Sequence, residues 1–232
     1  SIIFDELFYL QLGLAIKKRK NVNSRGIVVA ASGTLIRKMT ALLSFELTRA
    51  QQRVIAEIDS DMESSQAMHR LVQGDVGSGK TMVAWFSSLR VIEKGHQAVW
   101  MAPTELLAEQ HFRSILPYAE KLAIRAKLIT GSMPAKQRKT ALEEVARGTV
   151  GFVVGTHALI QDAVRFHRLG VAVTDEQHRF GVKQRLALAA QAESDPDMLV
   201  MSATPIPRSL ALTLHGDLDL SVLDERPPGR KP

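Results

Sequence analysis

The sequence predicts an open, mainly parallel α/β sheet with helices on both faces, and three observations carry that prediction. From about residue 46 onward, short apolar runs alternate with longer stretches of helical periodicity, the texture of strands joined by crossover helices. A glycine-rich turn at 74–81 follows one apolar run and opens a helix. Two acids, Asp175 and Glu176, stand at the C-terminal end of another apolar run, where open α/β sheets place their ligand chemistry. A chain of 232 residues that is 45% hydrophobic is large enough for one globular domain, with or without an appendage.

Taken in order, residues 2–16 set Ile3, Leu7, Leu10 and Leu14 at three- and four-residue steps and run into Lys17, Lys18, Arg19 and Lys20, whose charge suits a helix C-terminus. An amphipathic helix is expected there. Residues 21–44 are irregular, rich in small and polar side chains, and read as a connector. A boundary near residue 45 then separates a helical linker, 1–44, from the main domain, 45–232. Within that domain the expected strands are 69–73, 97–101, 126–130, 151–154, 171–174 and 198–201, and the expected helices 78–93, 105–116 and 135–147. Gly95 and Gly148 are placed to end two of the helices. No internal repeat or low-complexity tract interrupts the pattern.

Composition excludes several classes. Without cysteine there is no disulfide, iron–sulfur cluster or thiolate zinc site, and no apolar run approaches the roughly 18 residues of a membrane helix. The first residues carry Asp5 and Glu6 and lack a secretory pattern, so a soluble, reducing compartment is expected. The chain begins at Ser1, which fits an excised or processed chain. A formal charge of +6 and a pI near 9.7 suit a polyanionic partner. With 5% aromatic residues, the contact expected is with phosphates more than with stacked bases.

The run Gly74, Asp75, Val76, Gly77, Ser78, Gly79, Lys80, Thr81 is a complete G-x-x-x-x-G-K-[ST] phosphate loop. Its glycines let successive backbone N–H groups turn toward phosphate oxygens, and the following helix directs its positive end at the same anion. Lys80 is expected to neutralise the β- and γ-phosphates of a nucleoside triphosphate, and Thr81 to offer its hydroxyl to Mg²⁺. Asp175 is the expected second metal contact, and Glu176 the group that orients and deprotonates the attacking water.

DEQH at 175–178, the phosphate loop and SATPIPR at 202–208 together resemble the first motor domain of superfamily-two DNA helicases and translocases, over roughly residues 45–230. Segments 101–111, 155–161, 175–185 and 225–232 most resemble the bacterial branch that remodels stalled replication forks, with transcription-repair coupling translocases as the neighbouring alternative. The resemblance implies a RecA-like P-loop NTPase fold, ATP and Mg²⁺ as cofactors, branched or duplex DNA as partner, and a cytoplasmic, nucleoid-associated location. It implies that Gln51 reads the adenine edge, although Gln52 adjoins it and leaves the register open. It assigns Pro103, Thr104 and Glu105 to one DNA backbone grip and Gly155, Thr156 and His157 to a second. Ser202, Thr204 and His178 would link nucleotide state to DNA engagement. It further implies a second RecA-like domain with arginine fingers and an amino-terminal wedge, neither within these residues. A nucleotide-binding switch without motor function is the rival class, but the N-K-x-D base-reading motif of its GTPase form is absent.

Overall fold

The computed structural model describes residues 26–29, 33–156, 159, 164–175, 195–203 and 218–225, so the helix expected over 2–16 lies outside the described residues. Their elements, in chain order, are α1 (Thr34–Leu42), α2 (Arg49–Met62), β1 (His69–Gly74), α3 (Lys80–Glu93), β2 (Gln97–Met101), α4 (Glu105–Lys121), β3 (Ala126–Ile129), α5 (Ala135–Ala146), β4 (Phe152–Gly155), β5 (Leu169–Asp175), β6 (Asp197–Ser202) and β7 (Asp219–Leu223). Every pairing is parallel, in the order β3-β4-β2-β5-β6-β1-β7.

Alternation along the strands divides the core between two faces. Ala98, Trp100, Phe152, Val171, Val173 and Leu199 pack with buried residues of α1 to α4. Val99, Met101, Val153, Ala172 and Met198 face the other way, against Ala141 and Val145 of α5 and against Leu159, Val164 and Phe166. Trp85, Phe152 and Trp100 form consecutive edge-to-face pairs at 4.9 and 5.2 Å, a geometry that aligns ring edges with ring faces.

Three expectations are corrected. The connector reading of 21–44 fails over Thr34–Leu42, which is helical. Met39 is buried there, and the Glu93 carboxylate accepts from the Thr34 and Leu35 N–H groups, capping the helix from α3. Helix α4 does not stop at Leu116 but runs through Pro117 to Lys121. Proline removes one helical hydrogen bond, and burial of Ile115 and Ala119 on either side holds the helix across the gap. Strand β7 was not expected at all; it is half-buried and, among the described residues, stands at the end of the sheet beside β1. Gly95 and Gly148 do follow α3 and α5 in the left-handed region, with φ of 78° and 72°.

Because every strand is parallel, all seven C-terminal ends share one rim. Along it stand Ile129, Gly155, Met101, Asp175, Ser202, Gly74 and Leu223 in turn. The phosphate loop and the acid at the end of β5 therefore lie on one half of the rim, and residues 103–105 and 155–156 on the other. Among the described residues no helix is long and apolar enough to cross a membrane.

Candidate active site

The phosphate loop is shaped by its glycines. Gly77 and Gly79 have φ of 85° and 89°, in the left-handed region that side chains disfavour. At Gly79 a Cβ would also fall 2.1 Å from Gln51 Nε2. Gly79 precedes α3 and no side chain caps that helix, which leaves its first N–H groups directed at the turn. Lys80 Nζ donates to the Gly74 and Asp75 carbonyls at 2.5 and 3.0 Å. Burial pulls its ammonium below the ordinary lysine value, with the charges of Asp175 and Asp75 opposing. A cleft of about 230 Å³ lies beside the loop, lined by Gln73, Gly74, Asp75, Ser78, Ala203 and Leu223 among others.

Helix α2 supports the loop from behind. Thr48 and Gln51 form a capping box, with Thr48 Oγ1 accepting from Gln51 N and Gln51 Oε1 accepting from Thr48 N at 2.9 Å. Gln51 Nε2 then donates to the Ser78 carbonyl at 2.9 Å, and the side chain is buried. Gln52 instead donates to the Leu47 carbonyl on the exposed side. So Gln51 is the glutamine at the loop, and its amide holds loop backbone. The end of β7 closes over the same helix: Glu225 Oε2 accepts from Ala50 N at 3.2 Å, and Arg53 pairs with Asp224 at 3.0 Å.

Asp175 ends β5 with its side chain mostly covered, and its Oδ2 lies 3.2 Å from His111 Nε2. Ser202 ends β6 and is buried, one strand away from Asp175 and directly beside Gln73. Thr174, which precedes the acid, is buried within β5. Val76 and Thr81 complete the loop, Val76 being the exposed tip. Among the described residues no group of three or more His, Cys, Asp or Glu side chains is placed to hold a metal ion by itself. One carboxylate and one hydroxyl on hard oxygen donors fit Mg²⁺, which is ordinarily held by one or two carboxylates together with substrate phosphates.

On the other half of the rim Thr104, Glu105 and Gly155 have local tasks. Thr104 Oγ1 accepts from Leu107 N at 3.3 Å and caps α4, and Pro103 precedes it. The Glu105 carboxylate accepts from Ser132 N and Oγ at 2.9 and 2.6 Å, which holds it below the usual carboxylate range. Glu105 thereby ties the start of α4 to the loop after β3. Gly155 is needed because a Cβ would sit 2.3 Å from the Ile129 carbonyl, and Thr156 is buried after it. His157, Glu176, His178 and Thr204 lie outside the described residues.

Sequence reasoning passed over His111 and Ser132. His111 had a readable signal: it falls on the 104, 108, 111, 115 stripe of α4, whose other helical members Ala108 and Ile115 are buried, so a polar group there faces inward. For Ser132, a small polar residue in a turn, no such signal exists.

The parallel sheet, the glycine-shaped loop on a helix start and the acid at an adjacent strand end define a P-loop nucleotide-binding domain with a RecA-like fold. A family model described as DEAD/DEAH box helicase matches residues 48–213, and the chain belongs to that family. It is 49% identical to the ATP-dependent DNA helicase RecG of Synechocystis sp. (strain ATCC 27184 / PCC 6803 / Kazusa), covering 100% of this chain and 28% of that protein. It is 47% identical to RecG of Bacillus subtilis (strain 168), over 99% of this chain and 34% of that protein. The chain thus spans about a third of the length of the curated relatives it matches. Among solved structures, RecG bound to a three-way DNA junction superposes with a TM-score of 0.86 at 42% identity, over 98% of this chain and 30% of that one. The DUF1998 helicase MrfA bound to DNA, 16% identical with a TM-score of 0.65, shares the fold.

Proposed function

We propose that this chain is the ATP-binding motor domain of a RecG-type DNA helicase, which couples ATP hydrolysis to movement on branched DNA such as stalled forks and Holliday junctions. The observation that carries the reading is the intact phosphate loop, tied by Gln51 to α2 and set two strand positions from Asp175 on a rim whose other half carries residues 103–105 and 155–156. Likeness to RecG proteins over essentially the whole chain supports branched DNA over a coupling translocase or a switch.

In this reading the N–H groups of 77–81 and the start of α3 cradle the phosphates, and Lys80 leaves the Gly74 and Asp75 carbonyls to meet them. Thr81 and Asp175 would hold Mg²⁺, which supplies positive charge to the β- and γ-phosphate oxygens. Glu176 takes the proton of the attacking water. Gln51 holds the loop, and its amide keeps one hydrogen and one lone pair for the adenine edge. Thr104, with Pro103 and the Glu105-braced turn, grips one stretch of DNA backbone, and Gly155, Thr156 and His157 a second, through contacts that position without reading sequence. Ser202, Thr204 and His178 link the two halves. A second RecA-like domain and a wedge domain of the same protein complete the motor, and the location is the bacterial cytoplasm.

The test is titration of a fluorescent ATP analogue into the chain and into Lys80→Ala. The variant is expected to lose at least tenfold in affinity with an unchanged circular dichroism spectrum, because Lys80 is only half-buried and bonds the loop alone. Equal affinities would remove the assignment.

A further inference from the structure

We infer that His111 is the positioning residue of the Asp175 carboxylate. The inference rests on the proposed metal role of Asp175, and it assigns a task to a side chain on a different element.

An ionised carboxylate only accepts, so in the 3.2 Å contact His111 Nε2 carries the hydrogen and Asp175 Oδ2 receives it. Both side chains are mostly covered, at 16% and 23% exposure, which limits screening of the bond by water. The imidazole is itself fixed. It stands edge-on to Trp100, 5.8 Å between ring centres and 83° between planes. Trp100 is buried on β2 and donates from Nε1 to Ser88 Oγ at 2.9 Å, and Ser88 donates onward to the Ala84 carbonyl of α3 at 2.9 Å. Phe152 packs edge-to-face on the same indole. The fixed indole disfavours swinging of the ring, and the bond to the ring favours one orientation of the oxygen. The carboxylate is oriented when the protein folds, and ordering it is not left to the moment a cation arrives.

The connection also has a reach. Helix α4, which carries His111, starts at the Thr104 cap, two turns and about 10 Å away at 1.5 Å per residue. The register Met101 to Thr174 sets the strand leading into α4 directly beside the strand that ends in Asp175. His111 closes that pair of strands at its upper end with a side-chain bond.

The experiment compares the affinity of the chain for a fluorescent ATP analogue in Mg²⁺ and in EDTA. His111→Leu is expected to match the parent in EDTA and to lose about ten- to a hundredfold of the gain that Mg²⁺ confers, the usual effect of removing a partner of a metal ligand. His111→Asn, too short to reach, should behave as His111→Leu while keeping a polar group in the site. His111→Gln, whose amide N–H reaches the same oxygen, should recover most of the gain. Thermal melts identify any variant that fails to fold, and the Asn and Gln pair then decides. If Asp175→Asn loses the Mg²⁺ gain but His111→Leu and His111→Asn keep it, positioning by His111 is wrong and the metal role stands. If Leu, Asn and Gln variants lose it equally, the hydrogen bond is not the cause and the inference fails. If Asp175→Asn also keeps the gain, the metal role of Asp175 fails and takes this inference with it.

Discussion

A carboxylate that holds a cation and one that accepts a proton respond differently to losing their charge, so the roles proposed for Asp175 and Glu176 can be separated one residue apart. In the full-length protein, Glu176→Gln, which keeps the shape of the side chain, is expected to leave Mg²⁺·ATP affinity near the parent value while turnover falls by about 10² or more, because an amide cannot take the water's proton. Asp175→Asn is expected to weaken the Mg²⁺-dependent part of binding itself. Parallel binding titrations and phosphate-release rates check both, and a Glu176→Gln enzyme that turns over at the parent rate would remove the base assignment. At this scale the loop was legible because two of its glycines answer a backbone demand, Gly77 and Gly79 occupying left-handed φ, and Lys80 and Thr81 follow on the first turn of α3. His111 and Ser132 were not assigned, because their partners lie 64 and 27 residues away and are chosen by how β2, β3 and β5 align. No spacing rule within one segment encodes that.

At the scale of elements, the start of β6 carries a buried acid that makes stability depend on pH. Asp197 Oδ1 accepts from Met68 N at 2.7 Å, while Oδ2 has no partner among the described residues. Burial pushes its carboxyl from 3.8 up to about 7. Between those values the folded chain keeps a proton that the unfolded chain has released, so this group's effect is to lower stability as pH rises from about 4 to 7, with little further change above. Asp197→Asn retains an acceptor for Met68 and cannot ionise. Melting temperatures across pH 5 to 8 should therefore fall for the parent relative to the variant, and parallel curves would mean that the acid ionises freely. Elements were readable where burial is one-sided in pattern or complete: β2 and β5 contain the apolar runs 98–101 and 171–173, and α3 has its glycine stop. Strand β7 escaped because it is short and half-exposed, and its place depends on β1, some 150 residues earlier in the chain.

The whole molecule divides its rim between a half proposed to bind nucleotide and a half proposed to face DNA. Residues 1–232 alone are expected to bind Mg²⁺·ATP loosely and to turn it over at a rate that forked DNA does not raise, since an arginine finger supplied from another domain contributes about 10³–10⁵ in rate where it operates. Steady-state phosphate release with and without a synthetic fork measures this, and robust DNA-stimulated turnover would place such a finger within the chain. The strand order carries one more consequence, for the time course of synthesis. Strand β1, which ends in the phosphate loop, has β6 and β7 as its two neighbours, and both follow it by well over a hundred residues. At roughly 5–20 residues per second a ribosome needs about 7 to 30 s after finishing β1 to release its flanking strands. Through that interval the loop has no sheet to stand on, both edges of β1 are unpaired, and the nascent chain must be kept from pairing with the wrong strand. The phosphate loop is encoded early and waits for β6 and β7.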